Sequence, residues 1–259
     1  MFEAQLKKAF VFKNIIEAIK DLVEEASFDC EETAISLRAM DSSNIALVFL
    51  VMPMEMFDRY HCDVPATLGI SLANVYKSLK CAKTDDVFNL RFREQNPDEV
   101  HFIFEDPDKC KLQESTLKLI DLSKDSLGIP DTQPDVVLEI ASAEFGKTCR
   151  DISQFANSMN ITACKESVVF SGEGDSGKHS ITYKNDNIDV NETNWRTVVT
   201  VECTKPVSSS FSMKYLLKFT KADNINDRVR LTLSENKPVR IEYRIHDAGF
   251  LRYYLAPNV

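Results

Sequence analysis

Glycine is scarce in this chain, with seven in 259 residues, and neither G-x-G-x-x-G nor G-x-x-x-x-G-K-[ST] occurs. The backbone cradles of dinucleotide and P-loop folds are therefore missing. Histidine is scarcer still, at four (His61, His101, His179, His246). None stands in H-E-x-x-H or in a His/Cys cluster, and each reads as a structural or surface side chain. The seven cysteines (Cys30, Cys62, Cys81, Cys110, Cys149, Cys164, Cys203) are odd in number, scattered, and include no C-x-x-C. Zinc spacing is absent, so no metal and no cofactor is expected, and the thiols read as reduced, as in cytosol or nucleus. No run of eighteen apolar residues exists, which excludes a membrane-spanning helix. The opening MFEAQLKKAF carries early charges with no apolar stretch behind them, so no secretory leader is expected. Positive charge is also in deficit: 31 Lys and Arg against 40 Asp and Glu give a net charge of −9. Taken as a sum, that argues against a nucleic-acid partner; its distribution argues otherwise.

What is present is a repeat. Phe12 to Ala39 lies over Phe145 to Gly172 without a gap, 133 positions on, and the apolar pattern carries over: Ile19 on Ile152, Phe28 on Ile161, Ile35 on Val168, Leu37 on Phe170. A second stretch aligns 141 positions on, where Ser71 falls on Ser212, Lys77 on Lys218, Lys80 on Lys221, Asp86 on Asp227, Leu90 on Leu231, Glu94 on Glu235 and Pro97 on Pro238. Both matches occur in the same order, helix then strands, so the chain is a duplicated domain, two of about 125–130 residues.

Strand signals dominate each half. β-Branched and aromatic residues, several alternating, mark 35–39, 45–52, 87–93, 100–105 and 115–122, then 136–141, 167–171, 179–184, 197–203, 228–233, 239–245 and 250–255. Helical spacing appears at 9–22, 71–81, 143–156 and 212–221, with Ser71 and Ser212 where an N-cap belongs. Each half is thus an α+β unit, two short helices on antiparallel sheet. The segment 123–135, SKDSLGIPDTQPD, with Gly128, Pro130 and Pro134, reads as an exposed linker between domains 1–122 and 136–259.

The other faces of the helices are basic. Lys13 and Lys20 share a face two turns apart; Lys77 and Lys80 are i, i+3, as are Lys147 and Arg150; Lys214, Lys218 and Lys221 follow i, i+4, i+7. The second and fourth helices carry no acidic residue, whereas Glu17 interrupts the first stripe and Asp151 borders the third. Four such stripes on one surface would read a nucleic-acid backbone without base specificity. Catalytic signals are weak by comparison. GEGDSGKHS at 172–180 lies between strands rather than opening a helix, so it reads as a hairpin loop. Cys149 and Cys164 have no base beside them in sequence and read as inert thiols.

Further segments carry a resemblance: MFEA at 1–4, MDSSN at 40–44, RYHCD at 59–63, LGI-L at 68–72, LKC at 79–81, LKLIDL at 117–122, LGIP at 127–130, EF-K-CRDIS at 144–153, YL-KFTKA at 215–222 and YYLAP at 253–257. Along its whole length the chain resembles the eukaryotic sliding clamps of the proliferating cell nuclear antigen family. The resemblance implies a non-enzymatic nuclear protein: a closed homotrimeric ring, helices lining a hole, that encircles duplex DNA as a processivity factor and docking platform. A subunit of a heterotrimeric checkpoint clamp is the runner-up, and a thiol- or carboxylate-dependent enzyme the reading from another class.

The resemblance also implies roles for individual residues. Lys13, Lys20, Lys77, Lys80, Lys147, Arg150, Lys214, Lys218 and Lys221 would face the DNA. Strand edges around 109–117 and 177–184 would join neighbouring subunits, with Lys77, Cys81, Lys111, Ser115, Ile152, Phe155, Ser180 and Thr182 at that interface. Met40, Asn44, Leu127, Ile129, Pro238, Tyr254, Ala256 and Pro257 would line a groove for PIP-box segments, Q-x-x-[aliphatic]-x-x-[aromatic]-[aromatic]. The implied partners are the replicative DNA polymerase, clamp loader, flap endonuclease, DNA ligase and other PIP-box proteins, with no membrane. Lys165, in ACKES, matches the position that accepts ubiquitin or SUMO. Asn44 stands where vertebrate-type members have histidine, and Asn14 follows Lys13 in place of a second basic residue.

Overall fold

A computed structural model describes residues 1–106, 108–122, 128, 133–185 and 199–258. The first half runs β1 (Phe2–Leu6), α1 (Ala9–Ile19), β2 (Glu25–Cys30), β3 (Ala34–Met40), β4 (Ala46–Pro53), β5 (Arg59–Cys62), β6 (Ala66–Ser71), α2 (Leu72–Lys80), β7 (Val87–Phe92), β8 (Glu99–Asp106) and β9 (Lys111–Lys118). The second runs β10 (Val136–Ala141), α3 (Ser142–Ser153), β11 (Ser158–Ala163), β12 (Ser167–Gly174), β13 (Gly177–Lys184), β14 (Thr200–Cys203), β15 (Val207–Ser212), α4 (Met213–Phe219), β16 (Arg228–Leu233), β17 (Val239–Ile245) and β18 (Gly249–Leu255). The order of strands and helices is the same in both. So is the order of neighbours: β5-β1-β7-β8-β9 answers to β14-β10-β16-β17-β18, and β6-β2-β3-β4 to β15-β11-β12-β13.

The duplication extends to single backbone bonds. Ala9 N donates to Asp86 O at 2.8 Å, and in the second half Ser142 N donates to Asp227 O at 2.8 Å. Leu72 N donates to Glu24 O at 2.9 Å, matched by Met213 N to Asn157 O at 2.9 Å. Ile120 N donates to Gly69 O at 2.8 Å, matched by Asn258 N to Ser210 O at 2.8 Å. Each bond fixes where a helix or tail leaves its strand, so the two halves share construction as well as pattern. By spatial proximity the chain divides into one unit of Met1–Ser42, Val48–Gly128 and Ile245–Leu251, and another of Ser43–Leu47, Ile129–Arg244 and Arg252–Val259.

Apolar residues at helical spacing explain the helix cores. In α1, Phe12, Ile15, Ile16 and Ile19 are fully buried, and the Phe12 ring stacks on Phe88 with centroids 5.0 Å apart. Phe88 in turn meets Phe102 and Phe104, each at 5.4 Å. Burying one such ring is worth about 1.5–3 kcal/mol, so this cluster anchors α1 to β7 and β8. In α3, Phe145 takes the place of Phe12 and meets Phe170 at 6.2 Å, while Thr148 Oγ1 and Tyr183 Oη hydrogen-bond at 2.8 Å.

Four expectations need correction. Ser71 and Ser212 hold the N-cap positions of α2 and α4, yet neither side chain makes a capping hydrogen bond; the backbone bonds from Leu72 N to Glu24 O and from Met213 N to Asn157 O each satisfy one first-turn donor instead. The fourth helix ends at Phe219, and Thr220–Asn224 is a tighter 3-10 turn, so Lys221 sits beyond the α-helix. Among the described residues six strands escape the sequence patterns: β1, β2, β5, β6, β11 and β15. The strand expected at 115–122 is β9 and lies earlier, at Lys111–Lys118. The glycine-containing 172–180 segment is a hairpin, with β12 and β13 paired up to Gly174 opposite Gly177. Gly177 has φ +130°, which a side chain would strain.

Candidate functional site

In the first unit α1 packs on α2, and the seam between them is basic. Lys20 Nζ lies 4.7 Å from the centre of the Tyr76 ring and Lys80 Nζ lies 5.0 Å from it, so ammonium groups from two helices meet at one aromatic ring. Such contacts hold cations in place at about 0.5–1 kcal/mol each when exposed. The Tyr76 hydroxyl donates to Glu17 Oε1 at 3.1 Å; burial first, then this bond, raises its pKa. Glu17, the carboxylate that interrupts the stripe, is therefore held by a phenol. Lys20 also pairs with Asp21 at 3.0 Å. Lys77 is exposed and donates to Asn74 Oδ1 at 3.4 Å, while Lys13 is half-buried.

In the second unit α3 packs on α4 and on the 3-10 turn after it. Lys147, Arg150, Lys214 and Lys221 are exposed and Lys218 half-exposed. A Cβ at Gly146 would lie 3.2 Å from an Arg150 terminal nitrogen, so the bare glycine leaves room for the guanidinium along the helix. Lys214 Nζ rests 5.7 Å from the Tyr215 ring.

Two edge strands form a second feature. Among the described residues β9 and β13 each end a sheet, paired on one side only, β9 with β8 and β13 with β12. Both are eight residues long with the same sequence of exposed and half-exposed positions. Lys111, Ser180 and Thr182 are exposed and Ser115 half-exposed. Leu112 is 62% exposed and Phe155 37%, the latter stacked on His179 at 5.0 Å. Cys81 is exposed, with its thiol directed to Lys77 O at 3.7 Å. Ile152 departs from expectation. It is fully buried, and a Cβ on Gly172 would come within 2.6 Å of its Cγ2, so it belongs to the core of its own unit.

A third feature gathers in the second unit. Asn44 has φ 55°, a left-handed turn that asparagine tolerates better than most residues, which accounts for the residue type there. Next to it Ile45 is 42% exposed, and its carbonyl accepts from Ala256 N at 3.2 Å. The turn bearing Asn44 and the tail bearing Tyr254, Ala256 and Pro257 are thus tied together. Pro238 is exposed before β17, and Met40 ends β3 in the first unit.

The comparisons with known proteins decide the family. The model of the proliferating cell nuclear antigen N-terminal domain matches residues 1–127, and that of the C-terminal domain residues 128–258. The protein named proliferating cell nuclear antigen in Caenorhabditis elegans is 48% identical over 259 residues, covering 100% of this chain and 97% of its own. Its namesake in Dictyostelium discoideum is 41% identical over 259 residues, covering 100% of both. The chain belongs to the proliferating cell nuclear antigen family. It is therefore a DNA sliding clamp, a processivity factor of DNA replication and repair.

Within that family setting, Lys165 is exposed in the turn between β11 and β12, and its carbonyl accepts from Asn185 Nδ2 at 2.8 Å. Leu127 and Ile129 lie outside the described residues. Tyr76, Leu112, Ile45 and Asn258 are the additions that sequence reasoning missed. Each is ordinary in its own segment and gains its place only from a neighbour distant in sequence. Cys149 is buried, and that burial pushes its thiol up to about 12, which leaves it a poor nucleophile.

Proposed function

We propose that three copies of this chain close head to tail into a ring around duplex DNA, with β9 of one subunit paired to β13 of the next. What supports this reading is that, of the six strands that end a sheet among the described residues, β9 and β13 are the longest and are equal in length and exposure pattern, and open edges call for a partner or a cover. A heterologous contact that closes makes a ring. Lys111, Leu112 and Ser115 on one edge meet Ser180 and Thr182 on the other, flanked by Lys77, Cys81 and Phe155. The helices line the hole. Lys13, Lys20, Lys77, Lys80, Lys147, Arg150, Lys214, Lys218 and Lys221 then face phosphate in a body of net charge −9 per chain. Contacts of that kind are salt-dependent and sequence-independent, so they enclose DNA without fixing its register.

The domains are 1–122 and 136–259, joined by the connector 123–135. The clamp works in the nucleus without enzymatic activity of its own. It tethers the replicative polymerase, flap endonuclease and DNA ligase through their PIP-box segments and is placed by a clamp loader. Those segments enter a groove of Met40, Asn44, Leu127, Ile129, Pro238, Tyr254, Ala256 and Pro257, with apolar anchors supplying most of the affinity. Lys165 is the site of ubiquitin or SUMO attachment. Sedimentation equilibrium tests the assembly: three times the 29.4 kDa of one chain is expected, and a monomer at micromolar concentration would overturn it.

A further inference from the structure

We propose that Asn258 is a positioning residue, clasping the carboxyl-terminal tail to the β15 edge and so holding Tyr254–Pro257 in the shape that receives a partner peptide. The inference rests on the groove reading above. Among the described residues β15 ends its sheet, bonded to β11 on one side. Asn258 makes three hydrogen bonds, two to Ser210 on this strand and one to Ser158 at the start of β11. Its backbone N–H donates to Ser210 O at 2.8 Å. Its side-chain Nδ2 donates to Ser158 Oγ at 3.2 Å and to Ser210 Oγ at 3.2 Å. A carboxamide nitrogen has two hydrogens, and two hydroxyls receive them, so the group is matched in number. Two residues earlier, Ala256 N is pinned to Ile45 O at 3.2 Å. Pro257 lies between these anchors with its φ fixed by the ring. The tail is therefore fastened on both sides of the proline, and neither anchor alone would set its direction.

The first half shows what the clasp replaces. There the matching bond, Ile120 N to Gly69 O, is made at a glycine whose added Cβ would sit 2.1 Å from Ile120 O, so the chain presses directly on a bare backbone. At the equivalent place the second half has Ser210, and the asparagine amide bridges to its hydroxyl and to that of Ser158 instead. Close approach fastens one tail; a side-chain clasp fastens the other. A clasp made of exposed hydrogen bonds is reversible. The apparent affinity of the groove for a peptide then scales with the clasped fraction.

The test uses the full-length clamp and a fluorescein-labelled synthetic peptide with the Gln-x-x-Leu-x-x-Phe-Phe pattern, followed by anisotropy and stopped flow. Asn258→Ala is expected to weaken binding by about three- to tenfold, chiefly through the association rate, with the melting temperature unchanged. The Ser158→Ala/Ser210→Ala pair is expected to give the same loss, and the triple variant no further loss, because all three remove one clasp. Amide exchange at Ala256 and Asn258 is expected to quicken in every variant. Wild-type affinity in Asn258→Ala, or losses that add in the triple variant, would overturn the clasp. Failure of the unaltered clamp to bind the peptide would instead overturn the groove itself, and the role of Asn258 with it.

Discussion

Gly69→Ala is the sharpest single perturbation of the first unit. The new Cβ would stand 2.1 Å from Ile120 O and 3.2 Å from Leu122 Cγ, and backbone oxygen cannot swing aside as a side-chain tip can. The segment after β9 must retreat, and the Ile120 N to Gly69 O bond of 2.8 Å lengthens or breaks. A broken backbone bond costs about 0.5–1.5 kcal/mol, and residual overpacking about 1–3 kcal/mol. Alanine gives back about 0.4–1 kcal/mol by restricting the unfolded chain. The balance is a loss of roughly 1–3 kcal/mol. Urea titration at fixed protein concentration reads it as a lower midpoint at constant slope. Ser210→Ala, at the equivalent position of the second half, is the matched control and should cost under about 1 kcal/mol, because it removes one exposed hydroxyl partner. Equal stability of Gly69→Ala and the unaltered protein would refute the close approach and, with it, the account of how the first tail is fastened.

Three further outcomes follow from the geometry. Replacing Lys20, Lys80 and Lys218 together by alanine should make DNA association less salt-dependent, the log–log slope falling by about 0.9 for each phosphate no longer neutralised, with stability held within about 1 kcal/mol per site; filter binding across a salt series measures it. Leu112→Asp replaces a side chain that is 62% exposed in one chain. If that surface is covered between subunits, each interface weakens by about 1–2 kcal/mol, and because a closed ring loses all three interfaces on becoming monomers, dilution by analytical ultracentrifugation should show dissociation at roughly 10–200-fold higher concentration. Asp106 is held below the usual carboxylate range by its hydrogen bond from the Lys83 ammonium. Its contribution is present above the unfolded pKa, near 3.8, and lost as pH falls through the lower folded value. Acid titration of Asp106→Asn should therefore lack one component of the low-pH decline seen in the unaltered protein.

Much of this is legible in the residues, for identifiable reasons. The four helices can be placed because Phe12, Ile15, Ile16 and Ile19, then Leu72, Val75 and Leu79, Phe145 and Ile152, and Met213 and Leu216 recur at helical spacing and are buried where that spacing puts them. The duplication is legible because each half must bury the same faces. Of the strands that escape the sequence patterns, β1, β2 and β11 bury alternate positions only and carry polar residues such as Glu, Gln, Ser, Asp and Asn at the open ones, while β5 buries none of its four residues. VSSSFS in β15 and EASFDC in β2 have little β-propensity to announce them. Their place comes from pairing, β15 with β11 and β2 with β6. β9 lies off its expected position because KLQESTLK lacks an apolar face, as suits an edge strand. The basic stripes can be read from helical periodicity. Tyr76 cannot, because its role as a platform for Lys20 and Lys80 needs two helices side by side. Ile152 is assigned to an interface by resemblance alone; its position under Gly172 puts it in the core.

The central claim is that the DNA is enclosed by the protein. The measurement is retention on one plasmid in two forms. The clamp is placed by a clamp loader on nicked circular DNA, the complex is separated from free protein by gel filtration at elevated salt, and half is then cut once with a restriction enzyme. Enclosure predicts that the clamp stays with the circle and leaves the linear form through its ends, at salt that would dissolve contacts to phosphate. Equal retention on circle and linear DNA, or salt-sensitive loss from both, would contradict it.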